Sequence, residues 1–376
     1  MEVDDNYERS PSPGPAVTTL SVSAGFNAAR ESESSATRLA GNVGLFQPVS
    51  QGGRNIQNRV DLNLDFSQSR SYLLDTYTGA LQFRRDSTAE ATRASEVALG
   101  RGETETTSAR LNWSRALSER SNTNLGLNSS STRYGGGFVN AVNYRNGSLA
   151  GGISYRLTEI DSLGLQLSGS RYRTLTGSSR ARTNSASLNW QHAFSERSSG
   201  SLSVGRNRTT TRSSQDVLVC PLPIAFCTSG VVDPIVAQIE GVSTRSGGQY
   251  EASLNHQFDE VTSLAVSASN RVTPSGAGAV LREEALQASV RRSFSPPFSA
   301  SAAVSASRGN YFGSNAAEPR FREWSLGFSK ALDPDLSLEG GFRSSRSDDV
   351  RANVHSTSNV VFLTLRLQGP KLFAFR

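Results

Sequence analysis

The chain has 376 residues, of which 36% are hydrophobic and 19% charged, with 33 glycines and a formal net charge of +6. So small an apolar share argues against a large dry core, while 17 Phe, 9 Tyr and 3 Trp argue against disorder. No apolar run reaches the ~18 residues of a membrane-spanning helix. The positive charge forms no Arg-rich block or motif of the nucleic-acid kind, so DNA and RNA are not expected partners.

The N-terminus, Met1 to Asp5, has neither the basic start nor the apolar stretch of a signal peptide. Glu8 to Pro15 carries three prolines. Residues 1–15 therefore read as a flexible lead, ahead of a single domain over 16–376. Val17 to Ala28 and Thr37 to Phe46 are two candidate strands.

From Gln57 onward the chain repeats itself. Leu111-Asn112-Trp113-Ser114-Arg115-Ala116-Leu117-Ser118-Glu119-Arg120-Ser121 nearly recurs as Leu188-Asn189-Trp190-Gln191-His192-Ala193-Phe194-Ser195-Glu196-Arg197-Ser198. Looser copies share the plan: an alternating strand, a large apolar residue, a short polar turn, then a second alternating strand that ends in Arg. The apolar residues before the turns are Phe66, Leu117, Leu157, Phe194, Phe258, Phe294 and Leu332. Four of their six spacings lie between 36 and 40 residues. A unit of that size is one hairpin of a transmembrane barrel, with strands of ~10 residues or more.

Alternation assigns two faces. Leu111, Trp113 and Leu117 oppose Arg110, Asn112 and Ser114; Val361, Leu363, Leu365 and Leu367 oppose Thr364, Arg366 and Gln368. One end of the repeat carries tight turns, such as Ser118 to Arg120 and Asp333-Pro334-Asp335, and the other carries longer, variable loops. Outer-membrane barrels have short periplasmic turns and long extracellular loops. The expected fold is therefore an all-β, antiparallel, up-and-down transmembrane barrel of about 16 strands (14–18), with residues 1–15 as a periplasmic lead. Eighteen strands would need both N-terminal candidates and a further crossing, such as Arg93 to Gly100. Phe66, Phe194, Phe258 and Phe294 would form a girdle at the periplasmic side, with Trp324 and Tyr311 toward the other rim. A bore of this width holds water unless something plugs it.

The strands that run outward end in arginine: Arg133, Arg171 and Arg173, Arg206 and Arg208, Arg271, Arg308, Arg343 and Arg346. Guanidinium pairs well with phosphate. These side chains are candidates for an outer rim that holds lipopolysaccharide, or for a pore mouth that attracts anions; plain solvated loop charge is the third reading. Cys220 and Cys227, the only cysteines, fall in the longest loop. An oxidising compartment makes them a candidate disulfide. His192, His256 and His355 are scattered, and no Gly-x-Ser-x-Gly elbow is present. Neither catalytic activity nor a metal or other cofactor is expected.

Phe83-Arg84-Arg85-Asp86-Ser87-Thr88, Trp113 to Arg120, and Tyr155-Arg156-Leu157-Thr158-Glu159 resemble a poorly characterised group of proteobacterial outer-membrane β-barrels. That group is associated with exopolysaccharide and PEP-CTERM/exosortase systems. The resemblance covers residues 57–368 and implies an outer-membrane location in a Gram-negative cell envelope, with a link to envelope polysaccharide. The chain departs from typical barrels at its end, where Phe375 is second to last. The expectation is a porin-like channel or envelope structural barrel passing or binding hydrophilic solutes, in contact with outer-membrane lipid. An exopolysaccharide-associated export or binding barrel and a secreted β-solenoid adhesin stay open as alternatives. The solute, any plug and the oligomeric state stay open too.

Overall fold

The computed structural model describes residues 1–4, 16–50, 58–87, 102–135, 141–219, 235–295, 297–312, 318–349 and 354–369. The first third holds β1 (Glu2–Asp4), β2 (Val17–Ser32), β3 (Ser35–Ser50), β4 (Arg59–Tyr72), β5 (Asp75–Ser87), β6 (Glu103–Ala116) and β7 (Ser121–Gly135). Next come β8 (Tyr144–Arg156), β9 (Asp161–Thr174), β10 (Ser179–Ser195), β11 (Ser198–Val219), β12 (Ile235–Gln257) and β13 (Thr262–Pro274). The last five are β14 (Val280–Ser295), β15 (Phe298–Tyr311), β16 (Pro319–Asp333), β17 (Leu336–Asp349) and β18 (Val354–Leu367).

Each strand from β2 to β18 is antiparallel to the one before it, and β1 closes the ring. Glu2, Val3 and Asp4 pair with Thr19, Thr18 and Val17 of β2, and with Phe362, Val361 and Val360 of β18. β2 and β18 make little direct contact of their own. The barrel thus has 18 strands rather than about 16. Both N-terminal candidates are strands, β2 and β3, and Glu2–Asp4 supplies the remaining one; Arg93 to Gly100 lies outside the described residues. Three residues of the expected lead are therefore part of the wall, where Ser358 Oγ donates to Asp4 Oδ1 at 2.8 Å. Residues 5–15 lie outside the described residues.

Alternation decides what each face meets. On β9, Leu163, Leu165 and Leu167 are exposed outward, while Ser162, Gln166 and Ser168 face the bore and are half-buried. Inward hydroxyls pair across strands: Ser168 with Ser185 at 2.6 Å, Ser201 with Ser253 at 2.7 Å and Thr183 with Thr209 at 3.0 Å. Outward Leu111, Leu188 and Leu365 are 60–63% exposed. Leaving such a belt in water costs about 25 cal/mol per Å², and lipid removes that cost. A 14-residue strand such as β9 is about 46 Å long at ~3.3 Å per residue. Tilted by about 40°, it rises roughly 35 Å, enough to cross an apolar band of ~25 Å.

The tight turns join each even-numbered strand to the next and form the lower end; the longer loops form the upper end. Serine and threonine at the turn starts cap the following amides. Ser118 Oγ accepts from the N–H groups of Arg120 and Ser121, and Thr158 Oγ1 accepts from those of Ile160 and Asp161. This is the chemistry behind the recurring Ser-x-x-Ser. Six of the seven pre-turn apolar residues lie where the repeat predicts, beside the turns. Phe66 does not: β4 continues to Tyr72, and Leu73 and Leu74 make the turn, with Leu73 at φ 44°. The tryptophans of the repeat are held alike. Trp113 Nε1 donates to Asp75 Oδ1 at 2.9 Å, and Trp190 Nε1 donates to Asp161 Oδ1 at 3.1 Å. An indole at headgroup depth thus keeps its N–H paired.

Among the described residues most of the buried apolar side chains sit at the upper end, with Val17 and Val360 buried beside β1. Leu281, Phe321, Tyr172, Val280, Tyr311 and Phe312 are each no more than 7% exposed. Elsewhere the bore-facing positions carry hydroxyl, amide and charged side chains, such as Ser168, Ser185, Gln166 and Glu251.

Candidate functional site at the upper mouth

The site begins where one ladder stops. β12 pairs with β13 only from Gln257↔Ser263 to Tyr250↔Asn270, while β11 and β12 stay paired to Val219↔Ile235. β13 and β14 stay paired to Pro274↔Val280. Above Asn270 the β13–β14 hairpin has lost its neighbour on one side, and its tip turns into the bore.

Side-chain parity records the turn. Low on β14, even positions such as Leu286 and Val290 are exposed outward. At the tip, Val280 of the same parity packs with Phe312 onto the inward-facing Tyr172 of β9 and Ala181 of β10, flanked by Tyr144 and Val272. Tyr172 Oη donates to the Ser275 carbonyl at 2.9 Å, and the Val142 N–H donates to the Gly276 carbonyl at 2.7 Å. The hydroxyls of Ser275 and Tyr311 lie 3.3 Å apart. The tip therefore crosses from β13 and β14 to the tops of β8 and β9. Glycine permits the close approach: a Cβ on Gly276 would lie 2.4 Å from the Tyr134 ring. Gly278 takes φ +78°, where an L side chain is strained.

Arg245 and Arg282 each stand 6.0 Å from the Phe312 ring centroid. Glu283 is 3% exposed and pairs in register with Arg271; among the described residues its Oε1 has no hydrogen-bond partner. Beneath the tip lies a polar space of about 240 Å³, lined in part by Gln166, Ser185, Ser187, Gln249, Glu251 and Arg271. The arrangement is an aromatic shelf over a hydrophilic bore. It restricts one side of the mouth and leaves hydroxyl, amide and charged groups below it.

The predicted rim arginines do not form one ring. Arg173, Arg206 and Arg208 face outward, as does Arg133, which pairs in register with Glu105. Arg308 faces outward but is held by Glu284, with Nε and Nη2 each 2.7 Å from Oε2. Arg271 and Arg343 face the other way: their ladder partners are the inward Glu283 and Ser325. The register of their hairpins sets this parity, and "strand end plus Arg" does not reveal it. Tyr311, expected in a girdle, is buried in the mouth, whereas Trp324 faces outward. Cys220 and Cys227 lie outside the described residues.

His192 Nδ1 lies 2.7 Å from Asp161 Oδ1, and its ring stacks on Trp190. His256 Nδ1 is 2.7 Å from Ser198 Oγ. The two histidines belong to separate hairpins near the lower turns. Sequence reading missed the tip residues Tyr172, Ser275 and Gly276 altogether. A Pro274-Ser275-Gly276-Ala277-Gly278 run with two glycines was the one available signal of an unusual turn.

No protein-family model matches the chain, and no curated protein is similar to it in sequence. The resemblance to exopolysaccharide-associated barrels thus gains no support beyond the barrel itself. Solved structures are similar in fold. The ferric-catecholate import receptor Fiu from E. coli K12, in its open form, matches at TM-score 0.51 and 7% identity, over 97% of this chain and 81% of that one. The copper transporter OprC matches at 0.47 and 10%, over 90% of this chain and 64% of that one. The alcaligin outer membrane receptor FauA from Bordetella pertussis matches at 0.45 and 11%, over 93% of this chain and 61% of that one. The chain thus spans less than two thirds of the last two. It is an all-β, closed, antiparallel barrel, similar in fold to an outer-membrane import receptor.

Proposed function

We propose that the protein is an outer-membrane barrel that passes hydrophilic solutes through its polar bore, with the β13–β14 tip restricting the outer mouth. The observation that carries this reading is the inward tip, tied by Tyr172 to Ser275 and by Val142 to Gly276 above a polar space of hydroxyl, amide and charged side chains, Glu251 and Arg271 among them. The tip costs the barrel a continuous β12–β13 ladder, which a purely structural wall would keep. An import receptor similar in fold is a precedent for transport through such a wall.

In a planar bilayer the unaltered protein is expected to show small or infrequent conductance steps. Gly276→Val, which drives a side chain into the Tyr134 ring, is expected to enlarge them or make them more frequent. Large standing conductance before the change, or identical recordings after it in a folded barrel, would count against a restricting tip. Absence of any discrete step in both proteins would remove the channel reading.

A further inference from the structure

We propose that the outward face of β8–β11, just above the aliphatic belt, docks the phosphate groups of lipopolysaccharide in the outer leaflet. Register stacks this face in rows. The top row is Arg145, Arg173, Arg180 and Arg212, one residue from each of four adjacent strands. Below it come Gly147, Arg171, Arg182 and Thr210, then Leu149, Gly169, Asn184 and Arg208, then Gly151, Leu167, Ala186 and Arg206. The next row, Ile153, Leu165, Leu188 and Val204, is wholly aliphatic. All eight arginines are exposed, and five of them frame a groove of about 500 Å³ with Thr210.

Like charges directly opposite on neighbouring strands are destabilising. Here four guanidiniums stand side by side with two more beneath. None of the eight has an acidic partner among the described residues. Elsewhere on the barrel such partners are common: Arg308 has Glu284, Arg85 has Glu103, Arg366 has Glu339 and Arg346 has Asp348. Glu240 stands on the same face of β12, diagonal to Arg212, and makes no ion pair with it. The unrelieved repulsion calls for a polyanion from outside the chain. Guanidinium forks bind phosphate bidentately.

Dimensions narrow the polyanion. Four strands at ~4.8 Å span about 14 Å, and successive rows lie about 7 Å apart, the scale of a headgroup carrying more than one phosphate. The aliphatic row begins two residues below Arg206, so one molecule would meet arginine with its headgroup and leucine with its acyl chains. The patch points away from the bore, whose inward neighbours on these strands are Tyr172, Ala181, Asn207 and Thr209. That direction favours lipid over an anion at a pore mouth.

The test uses the full chain refolded in detergent and freed of lipid. Lipopolysaccharide is expected to bind and to raise the unfolding temperature. Chemically dephosphorylated lipopolysaccharide should bind at least roughly tenfold more weakly, as loss of charge-assisted bonds implies. The variant Arg171→Ser/Arg173→Ser/Arg180→Ser/Arg182→Ser should lose a similar factor while keeping heat-modifiable migration on a gel. Arg206→Ser/Arg208→Ser, a milder change near the aliphatic row, should weaken binding by a smaller factor and serves if the quadruple variant does not fold. Unchanged affinity in the folded variants, equal binding of the dephosphorylated lipid, or equal stabilisation by inorganic phosphate alone would each overturn the proposal.

Discussion

Arginine in place of Leu165 is expected to destabilise the folded barrel by about 2–4 kcal/mol in lipid vesicles, the cost of a cation on the lipid face near mid-membrane. Leu165 is outward, between Leu163 and Leu167, and its ladder partners Ile153 and Leu188 are outward too. The next residue, Gln166, lies along the polar space in the bore. Arginine there should change stability by no more than about 0.5 kcal/mol, as for most solvent-facing substitutions. Equilibrium denaturant unfolding in vesicles measures both. The contrast matters more than either value, because adjacent residues differ only in the face they occupy. Equal penalties at the two positions would mean that the apolar stripes do not meet lipid.

Leu281→Ala should be nearly as costly, about 2–5 kcal/mol. Leu281 has no exposed surface, and its ladder partner is the buried Tyr311. Its Cδ1 also fills the space that a Cβ on Gly309 would need. Most of the barrel has little dry core to absorb such a loss, so the cavity would open beside Tyr311, whose hydroxyl meets that of Ser275 at the tip. The same variant should therefore alter bilayer conductance in the direction given for Gly276→Val. A loss of stability with unchanged conductance would separate the shelf's packing from any role in restricting the mouth.

The wall was legible in the sequence because its forces are local. Leu111 and Trp113 against Asn112 and Ser114 state which face is apolar, and Ser118 or Thr158 states where a turn is capped. The N-terminal end was harder to read. Ala28, Ala29, Arg30 and Glu31 blur the alternation of β2, and Glu33-Ser34 is a turn without glycine or proline. Phe66 misled for a related reason: a large apolar residue within β4 looks like the residue before a turn.

Of the shelf, only the unusual turn at Pro274 to Gly278 left a mark in the sequence. The shelf arises because β12 outlasts its pairing with β13, a fact about neighbours far apart in sequence. The arginines fall between these cases. Arg173, Arg206 and Arg208 were visible as strand ends, but Arg145, Arg180 and Arg182 begin strands running the other way and join the patch only through register. That same register turned Arg271 and Arg343 inward.

The three-residue β1 has a mechanical consequence. A hoop is only as strong as its clasp, and among the described residues the short Met1–Asp4 segment is what fastens β18 to β2, with Met1 adding backbone hydrogen bonds to Leu363. Below the clasp β2 is exposed at every position from Leu20 to Ser32. Local opening follows the places with fewest buried contacts, so the amides of Val3, Thr18 and Val361 should exchange hydrogen sooner than those of Ser201 and Ser253. When the barrel gives way, it should unroll from this clasp, with the remaining strands peeling off as an open sheet.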